Sequence, residues 1–194
     1  MRADNLPNDE RGLAVAVIEA QTTATGLAAA DTVLKTADCP LFRANTVCPG
    51  KFFLLFGGSL SAVKEAYDRV QRTYQGELLD SFFLGHISDQ LLAGLGGEGK
   101  PVSAAGQAVG VIETFTGASA IAAADAAVKA AQVEIVNFKL AQGMTGKGVV
   151  YLSGAVAAVE AALQAGAEAI RDSGNLCATG LLPSPHELLW RSLG

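Results

Sequence analysis

The sequence predicts an α/β protein, α+β in the stricter sense, made of two fused copies of one ferredoxin-like β-α-β-β-α-β unit. Three observations carry that expectation. The run Ala14-Val-Ala-Val-Ile-Glu19 returns 94 residues later as Ala108-Val-Gly-Val-Ile-Glu113, and a long internal repeat is the signature of a duplicated structural unit. Within each copy, short β-branched runs alternate with Ala-rich segments of helical period. Pro and Gly punctuate the places where two such runs must double back.

The repeat holds beyond its first strand. At the same offset Thr22 aligns with Thr116, Ala28-Ala-Ala-Asp31 with Ala122-Ala-Ala-Asp125, and Lys35-Thr-Ala37 with Lys129-Ala-Ala131. After a two-residue insertion, Gly50-Lys-Phe-Phe-Leu-Leu-Phe-Gly-Gly58 aligns with Gly146-Lys-Gly-Val-Val-Tyr-Leu-Ser-Gly154. In the first copy, residues 14–19 form a buried strand. Residues 22–37 form a helix whose Leu27, Ala30, Leu34 and Ala37 make one apolar row. Residues 41–47 and 51–57 are strands joined tightly through Cys48-Pro49-Gly50. Ser59 caps a helix running to about Tyr74, and Leu78–Leu84 is the fourth strand. The second copy predicts a strand at 108–113, a helix at 116–131, hairpin strands at 133–141 and 147–153, a helix at 155–172 and a strand at 176–182. A short helix, Pro185 to Leu193, closes the chain. These elements define a flexible arm at 1–12, a first domain at 13–94, a linker at 95–106 rich in Gly, and a second domain at 107–194.

Composition narrows the function. Half of the 194 residues are hydrophobic, chiefly Ala, and 22 are Gly, a mixture suited to helices packed closely on a sheet. No apolar run approaches the roughly 20 residues that span a bilayer, and the first residues lack the apolar stretch of a signal peptide. A cytoplasmic protein without a membrane partner is expected. The net charge of −5 and the lack of a basic cluster exclude nucleic acid as a partner. Three cysteines, Cys39, Cys48 and Cys177, are odd in number and irregular in spacing, so reduced thiols are expected rather than a disulfide framework. Cys39 and Cys177 read as small buried hydrophobes.

Several residues invite chemistry. Gly143-Met-Thr-Gly-Lys-Gly148 resembles a phosphate-binding loop, but it lacks the full G-x-x-x-x-G-K-[ST] spacing and precedes a strand. Small residues at a crowded hairpin tip explain it better. His86 and His186 have no ligand spacing between them and read as surface or edge residues. Glu19 and Glu113 end the first strand of each copy, which argues for a shared structural task rather than an acid/base pair. Trp190 reads as an anchor for the terminal helix. A cysteine enzyme would need a base beside Cys48; no histidine lies close in sequence, and the second copy has Met144 at the matching place. The protein reads as a non-enzyme.

Glu113-Thr, then Ala122-Ala-Ala-Asp-Ala-Ala-Val-Lys-Ala-Ala131, a Gly-rich hairpin and Gly154-Ala-Val-Ala-Ala-Val159 together resemble the bacterial microcompartment domain, and the resemblance covers nearly all of residues 14–194 in both copies. It implies two unpermuted domains forming a pseudohexameric homotrimer, a tile that packs edge to edge with other shell proteins around a metabolic enzyme set. Thr46-Val-Cys-Pro-Gly-Lys-Phe52 and Pro183-Ser-Pro-His-Glu-Leu-Leu-Trp190 most resemble the iron–sulfur trimers of propanediol-utilisation shells. In such tiles the loop between the second and third strands lines a central pore. That implies pore-lining roles for Val47, Cys48, Pro49 and Gly50 within a first loop at 46–51, and for Gly143, Met144, Thr145 and Gly146 within a second at 142–148. Lys35 and Lys129 correspond to the family's edge lysines. The usual Pro-Arg-Pro-His edge motif is Pro183-Ser184-Pro185-His186 here, without its arginine, and the first copy has Gly85-His-Ile-Ser-Asp89 instead. A solitary cysteine cannot complete a metal site within one chain. Three chains around an axis supply three Cys48 thiolates, so the resemblance implies one [4Fe–4S] cluster per trimer, passing electrons across the shell, with encapsulated redox enzymes as partners. The alternative reading is a structural tile whose pore passes small polar metabolites, with Cys48 unmetallated.

Overall fold

A computed structural model describes residues 13–95, 107–140 and 143–193, the side chains of residues 191 and 192 excepted. The arm at 1–12 and residues 96–106 of the expected linker lie outside the described residues.

The first repeat runs β1 (Ala14–Ala20), α1 (Thr23–Thr36), β2 (Leu41–Val47), β3 (Lys51–Gly58), α2 (Leu60–Thr73) and β4 (Leu78–Leu84). A short helix the sequence reading had not anticipated, α3 (Asp89–Leu95), follows. The second repeat runs β5 (Ala108–Thr114), α4 (Gly117–Ala130), β6 (Glu134–Leu140), β7 (Gly148–Gly154), α5 (Val156–Ala169) and β8 (Leu176–Leu182), and α6 (Glu187–Leu193) ends it. The helix expected to reach residue 172 stops at Ala169, and a single 3₁₀ turn, Arg171–Ser173, leads to Gly174 at φ 66°, the left-handed conformation that closes a helix end.

The two sheets have the same strand order, β2-β3-β1-β4 and β6-β7-β5-β8, antiparallel throughout. Even their irregularities repeat. The β1–β4 register shifts between Glu19 and Ala20 and the β5–β8 register between Glu113 and Thr114; the β2–β3 shift at Leu41/Arg43 returns at Ile135/Asn137. Such irregularities are features of a fold rather than accidents, and their recurrence confirms the duplication at the level of backbone geometry.

Each helix pair packs on one face of its sheet. In the first repeat Ala14, Ala16 and Ile18 of β1 join Phe52, Leu54 and Phe56 of β3, Ala29 and Val33 of α1, and Val63, Ala66 and Val70 of α2 in one core. Ser59 caps its helix as the sequence indicates, its Oγ accepting from Ala62 N–H, and the structure adds two caps at residues read as helical: Thr22 Oγ1 accepts from Thr25 N–H and Thr116 Oγ1 from Ser119 N–H.

The apolar row expected of α1 is corrected. Leu27 and Leu34 are 58% and 56% exposed, and the face on the sheet is Thr25, Gly26, Ala29, Ala30 and Val33. Proximity decides this: a Cβ at Gly26 would lie 2.2 Å from Phe52 Cβ, so only small residues fit beneath the helix, and the larger leucines face outward.

The chain divides into two compact units. One contains residues up to Ile87 together with 141–146; the other contains Ser88–Leu140 and the residues from Lys147 onward. The helix α3 therefore belongs to the second unit, where it lies against α4 and β6. The loop at 143–146 belongs to the first.

Candidate functional site

The turn between β2 and β3 begins where Val47 pairs with Lys51, leaving three residues to reverse the chain. Gly50 N–H donates to Val47 C=O at 2.9 Å, and Gly50 takes φ 104°, a region open to Gly and costly to side chains. Cys48, Pro49 and Gly50 are all exposed, and the Cys48–Pro49 peptide is cis. Val47, grouped with the pore-lining residues by resemblance, is only 4% exposed and anchors the turn from inside the chain. Cys48 is thus held at the exposed tip of a short, pinned turn.

The loop from the second repeat lies against this turn, in the same compact unit. A Cβ on Gly146 would stand 2.6 Å from Cys48 carbonyl oxygen and 3.1 Å from Lys51 Nζ. Gly143, Thr145 and Gly146 have φ of 71°, 55° and 84°. Gly143 and Thr145 are exposed, Met144 is half-buried and Gly146 is buried. Gly146 of the second loop is therefore a neighbour of Cys48 and Lys51 in the first, and residues 141 and 142 lie outside the described residues.

Beneath each loop lies an ion pair. Lys51 Nζ is 3.4 Å from Glu19 Oε2, whose side chain is fully buried, and Lys147 Nζ is 2.7 Å from Glu113 Oε1. The two glutamates thus share one structural task, tying the end of the first strand to the start of the third. The hydrogen bond that Lys147 Nζ donates to the Glu113 carboxylate raises the Lys147 ammonium above the ordinary lysine range, and Cys177 Sγ, 3.6 Å away, adds to the effect. Cys177 is consequently corrected: it is a half-exposed thiol beside an ammonium, not a buried hydrophobe. Cys39 is buried, and that burial, reinforced by Asp38 and Glu65, raises its thiol pKa.

Among the described residues, no three His, Cys, Asp or Glu side chains gather as a metal site within one chain. One chain offers one exposed thiol at a loop tip, and that donor set fits an iron–sulfur cluster only as a third of a symmetric site. His86 and His186 are both exposed and far apart in sequence.

Lys35 and Lys129 occupy the last turns of α1 and α4, each paired with the aspartate four residues before it. The Lys35–Asp31 distance is 2.6 Å, with side chains 74% and 60% exposed; the Lys129–Asp125 distance is 2.5 Å, with side chains 42% and 6% exposed. Asp125 also accepts Ser88 N–H at 2.9 Å. The sequence reading missed that contact with α3. Its only local signal is Ser88, which caps the helix through Leu91 N–H.

The profile of the BMC domain matches residues 14–87 and again residues 108–185. The chain belongs to the BMC-domain family, in tandem form. A similar protein is the bacterial microcompartment shell protein PduT of Citrobacter freundii, 35% identical over 180 residues, which cover 93% of this chain and 97% of PduT. The shell protein PduA of Salmonella typhimurium is 42% identical over 81 residues, 41% of this chain and 83% of PduA, as expected of a match to a single repeat. Among solved structures, a microcompartment protein from Desulfitobacterium hafniense DCB superposes with a TM-score of 0.78 at 36% identity, covering 93% of this chain and 99% of that one. A fused permuted hexameric shell protein, MSM0275, gives a TM-score of 0.65 at 28% identity, covering 87% and 85%. This tandem BMC protein is a microcompartment shell protein, not an enzyme, and no helix among its described residues is long and apolar enough to cross a membrane.

Proposed function

We propose that three copies of this chain close into a pseudohexameric tile, that the turns at 47–50 and the loops at 143–146 ring its pore, and that the three Cys48 thiolates hold one [4Fe–4S] cluster on the axis. The observation that carries the reading is the contact between the two loops: Gly146 seats against the Cys48 carbonyl, so the equivalent segments of the two repeats lie side by side, as neighbours around one pore must. The similarity to PduT along nearly the whole chain supports a tile that meets other shell proteins at its edges. A cluster would supply one-electron transfer between encapsulated redox enzymes and the outside of the shell, with its potential tuned by burial and by hydrogen bonds to sulfur. This chain's part is to hold Cys48 at the tip of a short turn. The buried Glu19–Lys51 pair fixes the base of that turn and adds a cation three residues from the thiol.

Anaerobically prepared protein is expected to scatter light as a trimer and to contain about four irons per three chains. Cys48→Ser should remove the iron and its paramagnetic signal and leave the trimer, because sheet and helix burial hold the fold together. Ser at Cys39 or Cys177 should retain both. An iron-free trimer would overturn the cluster and leave the second reading, a pore for small polar metabolites with Cys48 unmetallated.

A further inference from the structure

The two repeats differ in one respect that the duplication makes informative. In the second unit, α3 lies against α4 and β6: Ser88 N–H donates to Asp125, Gln90 Nε2 donates to Val133 C=O at 3.1 Å, and Gln90 Oε1 accepts Ile135 N–H at 2.6 Å. Leu91 of α3 is fully buried, as is Ile121 of α4, and Asp125 is 4% exposed. In the first unit the matching positions on α1 are open. Leu27, the counterpart of Ile121, is 58% exposed, and the Asp31 side chain, counterpart of Asp125, is 60% exposed.

The chain carries one further helix of the same kind. Both α3 and α6 have seven residues, both begin five residues after the fourth strand of their repeat, and both place an acid in the first turn, Asp89 and Glu187. Matching β8 to β4 sets His186 against Ser88, Leu188 against Gln90 and Leu189 against Leu91. His186 caps its helix through Leu188 N–H as Ser88 caps α3 through Leu91 N–H. Within one chain, α6 is poorly accommodated. Leu188 and Leu189 are 66% and 41% exposed, and Trp190 Nε1 is buried without a hydrogen-bond partner, although Leu193 C=O accepts from Asn137 Nδ2.

We infer that α6 docks on the α1/β2 face of the neighbouring copy of this chain, over Leu27 and Asp31, repeating between chains the contact that α3 makes with α4 and β6 within the second unit. The inference rests on the trimer proposed above and names the contact that closes it. A contact whose two halves differ passes from one copy to the next and ends only when a ring closes. Each chain has one socket filled by its own α3, one open socket on α1 and one spare helix. Backbone N–H of His186 would meet Asp31 as that of Ser88 meets Asp125, and Leu189 would fill the place of Leu91. Lys129 stays 42% exposed although α3 lies against α4, so Lys35 stays available at a tile edge when α6 is seated.

The test uses the full-length chain. Light scattering of the unaltered protein comes first, and a monomer there overturns the trimer and the clasp together. Given a trimer, D31C/H186C should oxidise to a ladder of two- and three-chain species on a non-reducing gel, and neither single variant should do so beyond the unaltered chain. A trimer whose double variant yields only single-chain bands overturns the clasp and leaves the tile reading standing. Should the double variant not assemble, Leu27→Glu is decisive. The clasp requires its trimer to dissociate at a protein concentration at least tenfold higher than the unaltered trimer, whereas an unchanged dissociation profile overturns it.

Discussion

Three cysteines of one chain occupy three different environments, and the environment sets what each thiol can do. Cys39 is buried, and burial beside Asp38 and Glu65 raises its pKa, so at pH 8 it holds less thiolate than a free cysteine. Cys48 is exposed at its turn. In metal-free folded protein, iodoacetamide at pH 8 should therefore modify Cys48 and spare Cys39 until denaturant is added, as read by peptide mass mapping. Modification of Cys39 at the same rate as Cys48 would contradict the core described here. Gly26 makes the second residue-level case. Replacing a helix-interior glycine with alanine ordinarily gains about 1 kcal/mol. Here the new methyl would lie 2.2 Å from Phe52 Cβ, and overpacking of that kind costs about 1–3 kcal/mol. Gly26→Ala should thus lower the urea midpoint rather than raise it.

Elements were legible in the sequence wherever repetition or capping chemistry marked them. Ser59 announces a helix start because a side-chain oxygen must meet an orphan N–H there, and it does so; Thr22 and Thr116, matched by the repeat, prove to cap their helices in the same way. The hairpin at Cys48-Pro49-Gly50 was legible because few residues accept its backbone angles. Which face of α1 meets the sheet was not, because Leu27 and Leu34 look like core residues until the closeness of Phe52 is known. The partners of Asp31 and Asp125 were equally hidden, since identical Ala-Ala-Asp segments read alike and only tertiary contact separates them. That separation predicts unequal energetics at matching positions. Lys35–Asp31 is an exposed helix pair of the kind worth a few tenths of a kcal/mol, so Lys35→Ala should change stability by less than about 0.5 kcal/mol. Lys129→Ala removes the cation from a carboxylate that is 94% buried and should cost about 1–2 kcal/mol, less than the cost at a wholly buried pair because Lys129 itself is partly solvated. Chemical denaturation of the two single variants gives the comparison, and equal losses would refute it.

At the scale of the whole molecule, duplication lets one chain do what symmetry does for a single-domain protein, and lets the two halves diverge. Cys48 has Met144 at its counterpart, so a threefold ring of chains carries three thiols rather than six. Lysines stand at matching positions in the two halves, Lys35 and Lys129, and the resemblance implies a tile-edge role for both. Lys35 is the more exposed of the two and lies at the end of a helix on the surface, 74% open to solvent. Lys35→Glu would add a carboxylate four residues after Asp31 and at the wrong end of the helix dipole. Each effect costs a few tenths of a kcal/mol at an exposed site, too little to unfold a domain stable by about 5–15 kcal/mol. The variant should therefore keep its melting temperature within a few degrees and its light-scattering mass. What it should lose is growth in two dimensions, because reversing a charge at every repeated edge sets like charges or mismatched pairs along the whole seam between tiles. Negative-stain images of the unaltered protein should show extended sheets where the variant shows single particles. Sheets of normal extent from the variant would place Lys35 away from the tile edge, whereas loss of the trimer itself would place it in the contact between chains.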